Sequence, residues 1–582
     1  MLDTAIRGGE VIDGTGAPRR RADVGIAGGR IAAVGDVGDA RAEIDASGLV
    51  VAPGFVDVHA HVDAQVFWDR ALTPYSLHGV TSMFAGNCGF TLAPLGADNG
   101  DYLVRMLAVV EGMPLESLQA GVPCDWRTTA EYLDRIDGST AINVGFMVGH
   151  SALRHVVMGG DAVRRAAEPH EVDAMCRLLA EGLRAGGVGF SSSWGVTHVD
   201  ADGVPVPSRW ASADELLALA AVCRSVPGTS LEFIPPGVNV FTDDELELLT
   251  GMSTGAGRPL NWNVLRVDAG NREFVNGVLA AGDHAAARGG RVVALNMPVP
   301  LRSRFTFRTG FALDSLPGWP PLFALPIDAR VAALQDPAWR ARLEEGARQA
   351  PGQLATNLAD WSNRVICEVA DPGLRRYEGR VVSEIAAEEG KSPFDALLDI
   401  VCADRLQTTF TRLTSEPSAS DWAAMVAAWR SGRAAIGASD AGAHLDFSAN
   451  FDYHVYVLAH AVRELGALSL EEAVHYLTDA PARLYGLRDR GRLAPGTHAD
   501  LVLFDEAAVG PGAIHTRHDL PAGAGRLYAE PTGIARVVVS GTTVAVDGKV
   551  TGAQPGRVLR SGADTETPSM SSDGASSSSG PR

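Results

Sequence analysis

From about residue 55 to 487, short apolar, β-branched runs alternate with segments whose apolar positions recur at helical spacing. That alternation predicts a parallel sheet with helices outside it, an α/β fold of the (β/α)8 TIM-barrel class. Eight strands are expected to end near His61, Cys88, His150, Ser192, Ile234, Asn263, Asn296 and Asp440. Helices are expected between them, for example Glu171 to Ala185 and Ser212 to Val226. About 135 residues separate the seventh strand from the eighth, too many for an ordinary connection. Residues 299–433 are therefore expected to form an insertion over the barrel mouth, with helices such as Pro337 to Ala350 and Asp421 to Ser431.

The ends of the chain carry a different pattern. Residues 1–54 read as short strands broken by turns such as Gly8-Gly9, Asp13-Gly14 and Gly28-Gly29. Residues 488–558 repeat it, with strands over Ala499 to Phe504 and Ile534 to Gly541. Each half alone has too little core, so both are expected to build one composite β-sandwich into which the barrel, 55–487, is inserted. Residues 559–582 are rich in Ser, Gly and Pro and are expected to be a disordered tail.

Composition narrows the function. A net charge of -20 argues against nucleic acid and against an anionic membrane surface as partners. The six cysteines, Cys88, Cys124, Cys176, Cys223, Cys367 and Cys402, form no C-x-x-C pair and read as reduced thiols. The N-terminus lacks a basic and apolar leader, and no apolar run is long enough to span a bilayer, so the expectation is a cytoplasmic protein acting on a small molecule. Oligomeric state stays open.

In this barrel class the working groups sit at the carboxyl ends of the strands. In Val51-Ala52-Pro53-Gly54-Phe55-Val56-Asp57-Val58-His59-Ala60-His61, strand alternation places Asp57, His59 and His61 on one face. The two imidazoles can then grip one metal ion at the strand's end; a pair of surface histidines is the plain alternative. The second strand delivers Cys88, whose thiolate would be a strong zinc ligand, against the alternative of a packed cysteine. The eighth delivers Asp440, which could ligate metal and shuttle a proton, or simply cap a helix. His444, four residues on, could reach the same mouth or bond backbone in a loop.

With those motifs in view, the chain resembles the amidohydrolase superfamily and, within it, the N-acyl-D-amino-acid deacylases. The resemblance runs to about residue 555. Its marks are the Pro53-to-His61 stretch, Gly79-Val80-Thr81, Gly86-Asn87-Cys88-Gly89-Phe90, Gly149-His150-Ser151-Ala152-Leu153-Arg154 and Ser439-Asp440-Ala441-Gly442-Ala443-His444. Pro481-Ala482-Arg483-Leu484-Tyr485-Gly486-Leu487 and Gly496-Thr497-His498-Ala499-Asp500-Leu501-Val502 complete it. The resemblance implies a metal-holding barrel with a composite β-sandwich. It implies that His59 and His61 are metal ligands, that Cys88 holds or bridges metal, and that Asp440 is the acid/base.

The chain departs in two ways, from the deacylases at strands five and six and from many superfamily members at strand four. Relatives carry a histidine at the ends of strands five and six. Here strand five reads Ser230-Leu231-Glu232-Phe233-Ile234 and strand six Leu260-Asn261-Trp262-Asn263-Val264. Glu232 could ligate through oxygen; Asn261 and Asn263 are better suited to substrate. Strand four has no lysine, and the chain's only lysines, Lys391 and Lys549, lie off the barrel strands, which excludes a carboxylated-lysine bridge. His59, His61, Cys88 and Asp440, with Glu232 in reserve, suffice for one zinc or other divalent ion with an open position, rather than for two.

The expected reaction is hydrolysis of a linear amide, deacylation of an N-acyl (D-)amino acid or related compound, by metal-activated hydroxide with Asp440 as acid/base. His150, Asn261 or Asn263 would help hold the oxyanion. A substrate carboxylate would call for an arginine fork, first Arg154, then Arg209 and Arg302. The alternatives are a cyclic-amide hydrolase or deaminase on the same scaffold, a scaffold or binding protein that has lost catalysis, and a non-hydrolytic Lewis-acid role.

Overall fold

The computed structural model describes residues 1–571 apart from 97–98, 238, 301 and 351–356. Eight parallel strand positions follow one another in the expected order. They are Phe55–Asp57, Val80–Ala85, Asn143–Phe146 continued by Val148–Gly149, Gly189–Ser193, Ser230–Ile234, Leu260–Leu265, Val292–Asn296 and Ala434–Ile436. Nearly every residue in them is buried, which is why they read as continuous apolar runs and not as alternating ones.

The strands lie in two sheets. One runs from the eighth strand through the seventh, sixth, fifth and fourth to Val148–Gly149. The other joins the first, second and third strands to Val558–Leu559. The third strand links them: Met83 pairs with Val144 in one sheet, and Phe190 pairs with Val148 in the other. Beyond the first and eighth strands, Ala60 bridges Ala441, and the His61 N–H donates to the Ala441 carbonyl at 2.7 Å. That contact brings the two ends of the strand series together at the site.

Helices start where local capping satisfies their free N–H groups. Ser212 Oγ accepts from the Glu215 N–H at the start of Ala213–Val222. The expected helix at Asp421 begins earlier, at Ala419, because Ser418 and Asp421 form a reciprocal capping box. Pro169–Arg184 likewise starts two residues ahead of the expected Glu171.

Where a composite β-sandwich was expected, strands from both termini share a single nine-stranded sheet. Val50–Pro53 pairs antiparallel with Leu501–Phe504, Ala52 opposite Val502. Leu2–Val11 and its neighbours extend the sheet on one side, Ile534–Val539 and Thr542–Val546 on the other. Ile6, Val24, Ile26, Leu501, Leu503 and Val538 form its small apolar core.

The insertion has a core of its own. Trp319 stacks on Trp361 at 5.5 Å, and Phe305 on Phe410 at 5.7 Å, around a three-stranded sheet. That core ends near Phe410. Helix Ala419–Arg430 packs its Trp422, Met425 and Trp429 into the main core, so the expected boundary at 433 falls too late. The insertion sits on the loop after the eighth strand: the Arg304 N–H donates to Phe447, and Thr309 Oγ1 to Asp446.

The expectation of disorder after 559 is corrected for residues 559–571. Val558–Leu559 adds to the third strand, Thr565 Oγ1 donates to Gly228, and Arg291 donates to the Ser569 carbonyl. The polar composition conceals a segment anchored by backbone pairing. Residues 572–582 lie outside the described residues. No helix among the described residues is long and apolar enough to cross a membrane, and all six cysteines are free thiols.

Candidate active site

Three turns carry the candidate ligands. His59 and His61 lie just past the first strand, their rings edge-to-face with centroids 5.1 Å apart. Cys88 sits in a tight turn after the second strand at φ 58°. Gly86 before it must be glycine: its φ is 75°, and a Cβ there would meet the Met147 carbonyl at 2.8 Å. The third turn, after the eighth strand, holds Ala438, Asp440 and His444 at φ 64°, 51° and 48°. Left-handed backbone at three non-glycine residues so close together marks a segment held in place by its surroundings.

These turns bring four donor atoms together. Cys88 Sγ lies 3.5 Å from His59 Nε2 and 3.8 Å from His61 Nε2. Asp440 Oδ1 lies 3.2 Å from His59 Nε2 and 3.9 Å from His61 Nε2. His59, His61 and Cys88 are buried, whereas the Asp440 side chain is 36% exposed and forms the open side. Two imidazoles, a thiol and a carboxylate are a donor set that suits zinc.

Glu232 underlies this group. Its Oε2 accepts from the Cys88 N–H at 2.8 Å and its Oε1 from Asn263 Nδ2 at 2.7 Å. Asn263 Nδ2 also lies 2.8 Å from His59 Nδ1. Asn263 therefore supports His59 and Glu232 from beneath, a correction to its expected contact with substrate. Asn261 is corrected too: its amide is spent on the Leu231 carbonyl and the Tyr485 hydroxyl, inside the strands. Asp57 turns back to accept from the His59 N–H and does not join the two histidines.

The electrostatics call for a cation. Burial pushes the Glu232 carboxyl up to about 7 and the Glu111 carboxyl well above its ordinary value, and neighbouring carboxylates add to both. Burial, then Glu232, Glu111 and Asp440, push the Cys88 thiol well up. Burial also works against Asp440, but the hydrogen bond and charge of His59, with His61 and His444, hold it down at about 2. Burial likewise opposes charge on His59, and Asp440 overcomes it, so the His59 pKa is raised. The His61 pKa is driven well down by burial and by His59. A divalent ion among these groups would reverse the penalty on the acids and the thiol.

His150 and Arg154 are not part of this site. His150 Nε2 pairs with Glu215 at 2.8 Å, and Arg154 Nη1 meets both Glu215 oxygens at 2.5 Å, all three residues being buried. They form a structural knot between two helices, which corrects their expected role with substrate. Arg302 is likewise committed to buried Asp452, and Arg209 to the His198 carbonyl. His444 does reach the site: its charge acts on Asp440, and Phe311 of the insertion packs on its ring at 4.8 Å.

Three residues escaped the sequence reading. Glu111 ends an apolar helical stretch and places Oε1 3.3 Å from His61 Nδ1. His198 follows the fourth strand; burial, then His444 and Arg209, lower its pKa to about 4. Arg266 follows the sixth strand and makes no ion pair among the described residues. Nearby protein pulls its pKa down while the Asp440 charge opposes that, and solvent reaches it. Glu111 follows a helix, His198 lies five residues past the fourth strand, and Arg266 follows a sixth strand longer than expected, although a single carboxylate closing the apolar run Leu107-Ala108-Val109-Val110 was a visible signal.

The D-aminoacylase of Alcaligenes xylosoxydans xylosoxydans is 31% identical over 581 residues, covering 96% of this chain and 97% of that one. The N-acyl-D-glutamate deacylase of the same organism is 31% identical over 565 residues, 96% of each. Among solved structures, a Bordetella bronchiseptica N-acyl-D-glutamate deacylase complexed with zinc and a phosphonate inhibitor is 27% identical, with a TM-score of 0.64 over 96% of this chain and 100% of that one. A D-aminoacylase described with a binuclear metal center is 28% identical, TM-score 0.63, with the same coverage. The family model described as the amidohydrolase family matches residues 42–545. The chain belongs to the amidohydrolase family, whose members named here are deacylases that hydrolyse carbon–nitrogen bonds other than peptide bonds.

Proposed function

We propose that this chain deacylates an N-acyl-D-amino acid, using one divalent ion held by His59, His61, Cys88 and Asp440. The observation that carries this reading is the convergence of the two Nε2 atoms, Sγ and Oδ1, each imidazole lying within 3.9 Å of both the sulfur and the carboxylate. When bound, the ion supplies Lewis acidity toward water and the amide carbonyl. Asp440, on the open side of the cluster, accepts the proton of the attacking water and returns it to the leaving nitrogen. Buried His59, His61 and Cys88 keep bulk water away from the inner side.

One ion is favoured over two because Glu232 is hydrogen-bonded to Asn263 and to the Cys88 N–H, and among the described residues His59, His61 and Cys88 are the one group of three or more side chains whose donor atoms lie close enough to hold an ion. Arg266 is the group suited to the carboxylate of an N-acyl amino acid, as a cation that makes no ion pair among the described residues and lies in the field of Asp440. The eight parallel strands are read as a (β/α)8 barrel with the insertion over its mouth and the terminal sheet as a second domain. Free thiols throughout support a cytoplasmic location.

The test is a side-by-side assay of N-acyl-D-amino acids, N-acyl-L-amino acids, hydantoins and amino-heterocycles, with metal content measured on the same protein. Turnover of the D-substrates with about one equivalent of zinc is expected. Turnover confined to a cyclic amide or a heterocycle would overturn the substrate assignment.

A further inference from the structure

The helix Asn99–Val110 ends in Glu111-Gly112, which touches two histidines carried by different strands. Glu111 is 3% exposed, and its Oε1 faces His61 Nδ1 at 3.3 Å. That ring nitrogen is buried and has no hydrogen-bond partner among the described residues. The opposite nitrogen of the same ring, Nε2, faces Cys88 Sγ and Asp440 Oδ1. The Glu111 carboxylate therefore lies behind His61, on the side away from the donor cluster. A small swing would let it accept a hydrogen bond from Nδ1–H.

The backbone of the same residues serves the other histidine. The Glu111 carbonyl accepts the His444 N–H at 2.5 Å. Gly112 has φ 53°, and a Cβ there would lie 3.1 Å from His444 Nδ1, 3.3 Å from its Cα and 3.4 Å from Phe311. Glycine is needed both for the backbone angle and for the close approach. His444 itself sits at φ 48° in the turn that carries Asp440.

We infer that Glu111 and Gly112 are a positioning pair for the metal site. The Glu111 carboxylate orients His61 so that Nε2 presents its lone pair to the ion, and the Glu111-Gly112 backbone seats His444 beside Asp440. A histidine ligand ordinarily needs such a partner on its far nitrogen, because that bond fixes the tautomer and the ring plane. The inference rests on the proposed ligand role of His61.

The experiment measures zinc affinity by competition with a chromophoric chelator, on full-length Glu111→Ala, Glu111→Gln, Gly112→Ala and His59→Ala. Glu111→Ala is expected to weaken zinc binding about 10- to 100-fold at unchanged stoichiometry. Glu111→Gln keeps an acceptor and should recover part of that loss, which a purely structural role would not predict. Gly112→Ala should hold zinc close to the native affinity while kcat falls, because it displaces His444 and not His61. Native affinity in Glu111→Ala would overturn the inference, and so would loss of one whole equivalent, which would make Glu111 a ligand. Native zinc binding in His59→Ala would instead sink the metal reading beneath it.

Discussion

In the proposed mechanism Asp440 both holds the ion and moves a proton, and its backbone is strained. At φ 51° it occupies a region that costs an ordinary L-residue roughly 1–2 kcal/mol but that Asp and Asn tolerate better. Asp440→Asn should therefore keep the turn and most of the metal, and lower kcat by at least ~100-fold through loss of the proton shuttle. Metal analysis beside steady-state kinetics checks this; near-native turnover would remove Asp440 from the reaction. Arg266→Ala should lower kcat/KM for a carboxylate substrate by about 10- to 100-fold, the worth of a charge-assisted hydrogen bond, and leave a neutral amide analogue unaffected. Equal losses on both substrates would assign Arg266 a structural role. At this scale His59, His61, Cys88 and Asp440 were legible because their strands are short apolar runs with clear ends. Glu111 and Arg266 were not: Glu111 follows a helix and not a strand, and Arg266 follows a sixth strand that runs two residues past its expected end at Asn263.

Among the helices, polar residues near termini do structural work that a sequence presents as chemistry. Glu215, in the first turn of Ala213–Val222, is buried against His150 and Arg154 of the neighbouring helix His150–Met158. Burial alone would raise its pKa, but those two partners hold it below the ordinary value. Glu215→Ala would strand Arg154 without its countercharge and should cost about 3–5 kcal/mol in denaturant unfolding. Zinc affinity of the folded fraction should not change; a selective loss of substrate binding would return Arg154 to the site. On Pro169–Arg184, the Arg165 ion pair and the Glu168 N–H hold Glu171 down at about 2. A carboxylate depressed on folding contributes stability above its ordinary value of 4.5, and that contribution fades as pH falls from there toward 2. Glu171→Gln should flatten that acid limb in melts recorded against pH, and an unchanged limb would assign acid sensitivity elsewhere.

Across the whole molecule, the C-terminal segment ties together the loops that precede the strands, on the face opposite the site. Val558 and Leu559 are buried against the third strand, Ser561 Oγ donates to Leu183, and Thr565 Oγ1 donates to Gly228. Deleting residues 556–582 should destabilise the fold by at least ~3 kcal/mol, from the two apolar side chains alone. Because the segment lies away from the donor cluster, zinc affinity of the folded fraction should stay near native; a deletion that leaves the melting temperature unmoved would refute the strapping role. By itself the sequence determined the succession of eight strand positions and the residue types of four donor groups that lie near one another. Each of these is written in local periodicity or in residue types near a strand end. Only the tertiary structure decided that Glu232 and Asn263 lie under His59, that Glu111 backs His61, that His150 and Arg154 belong to Glu215, and that a polar tail is pinned to the third strand and to the segments that precede the fourth and fifth. Those outcomes depend on contacts between residues distant in the chain, set by how the strands and loops pack, and no local pattern encodes them.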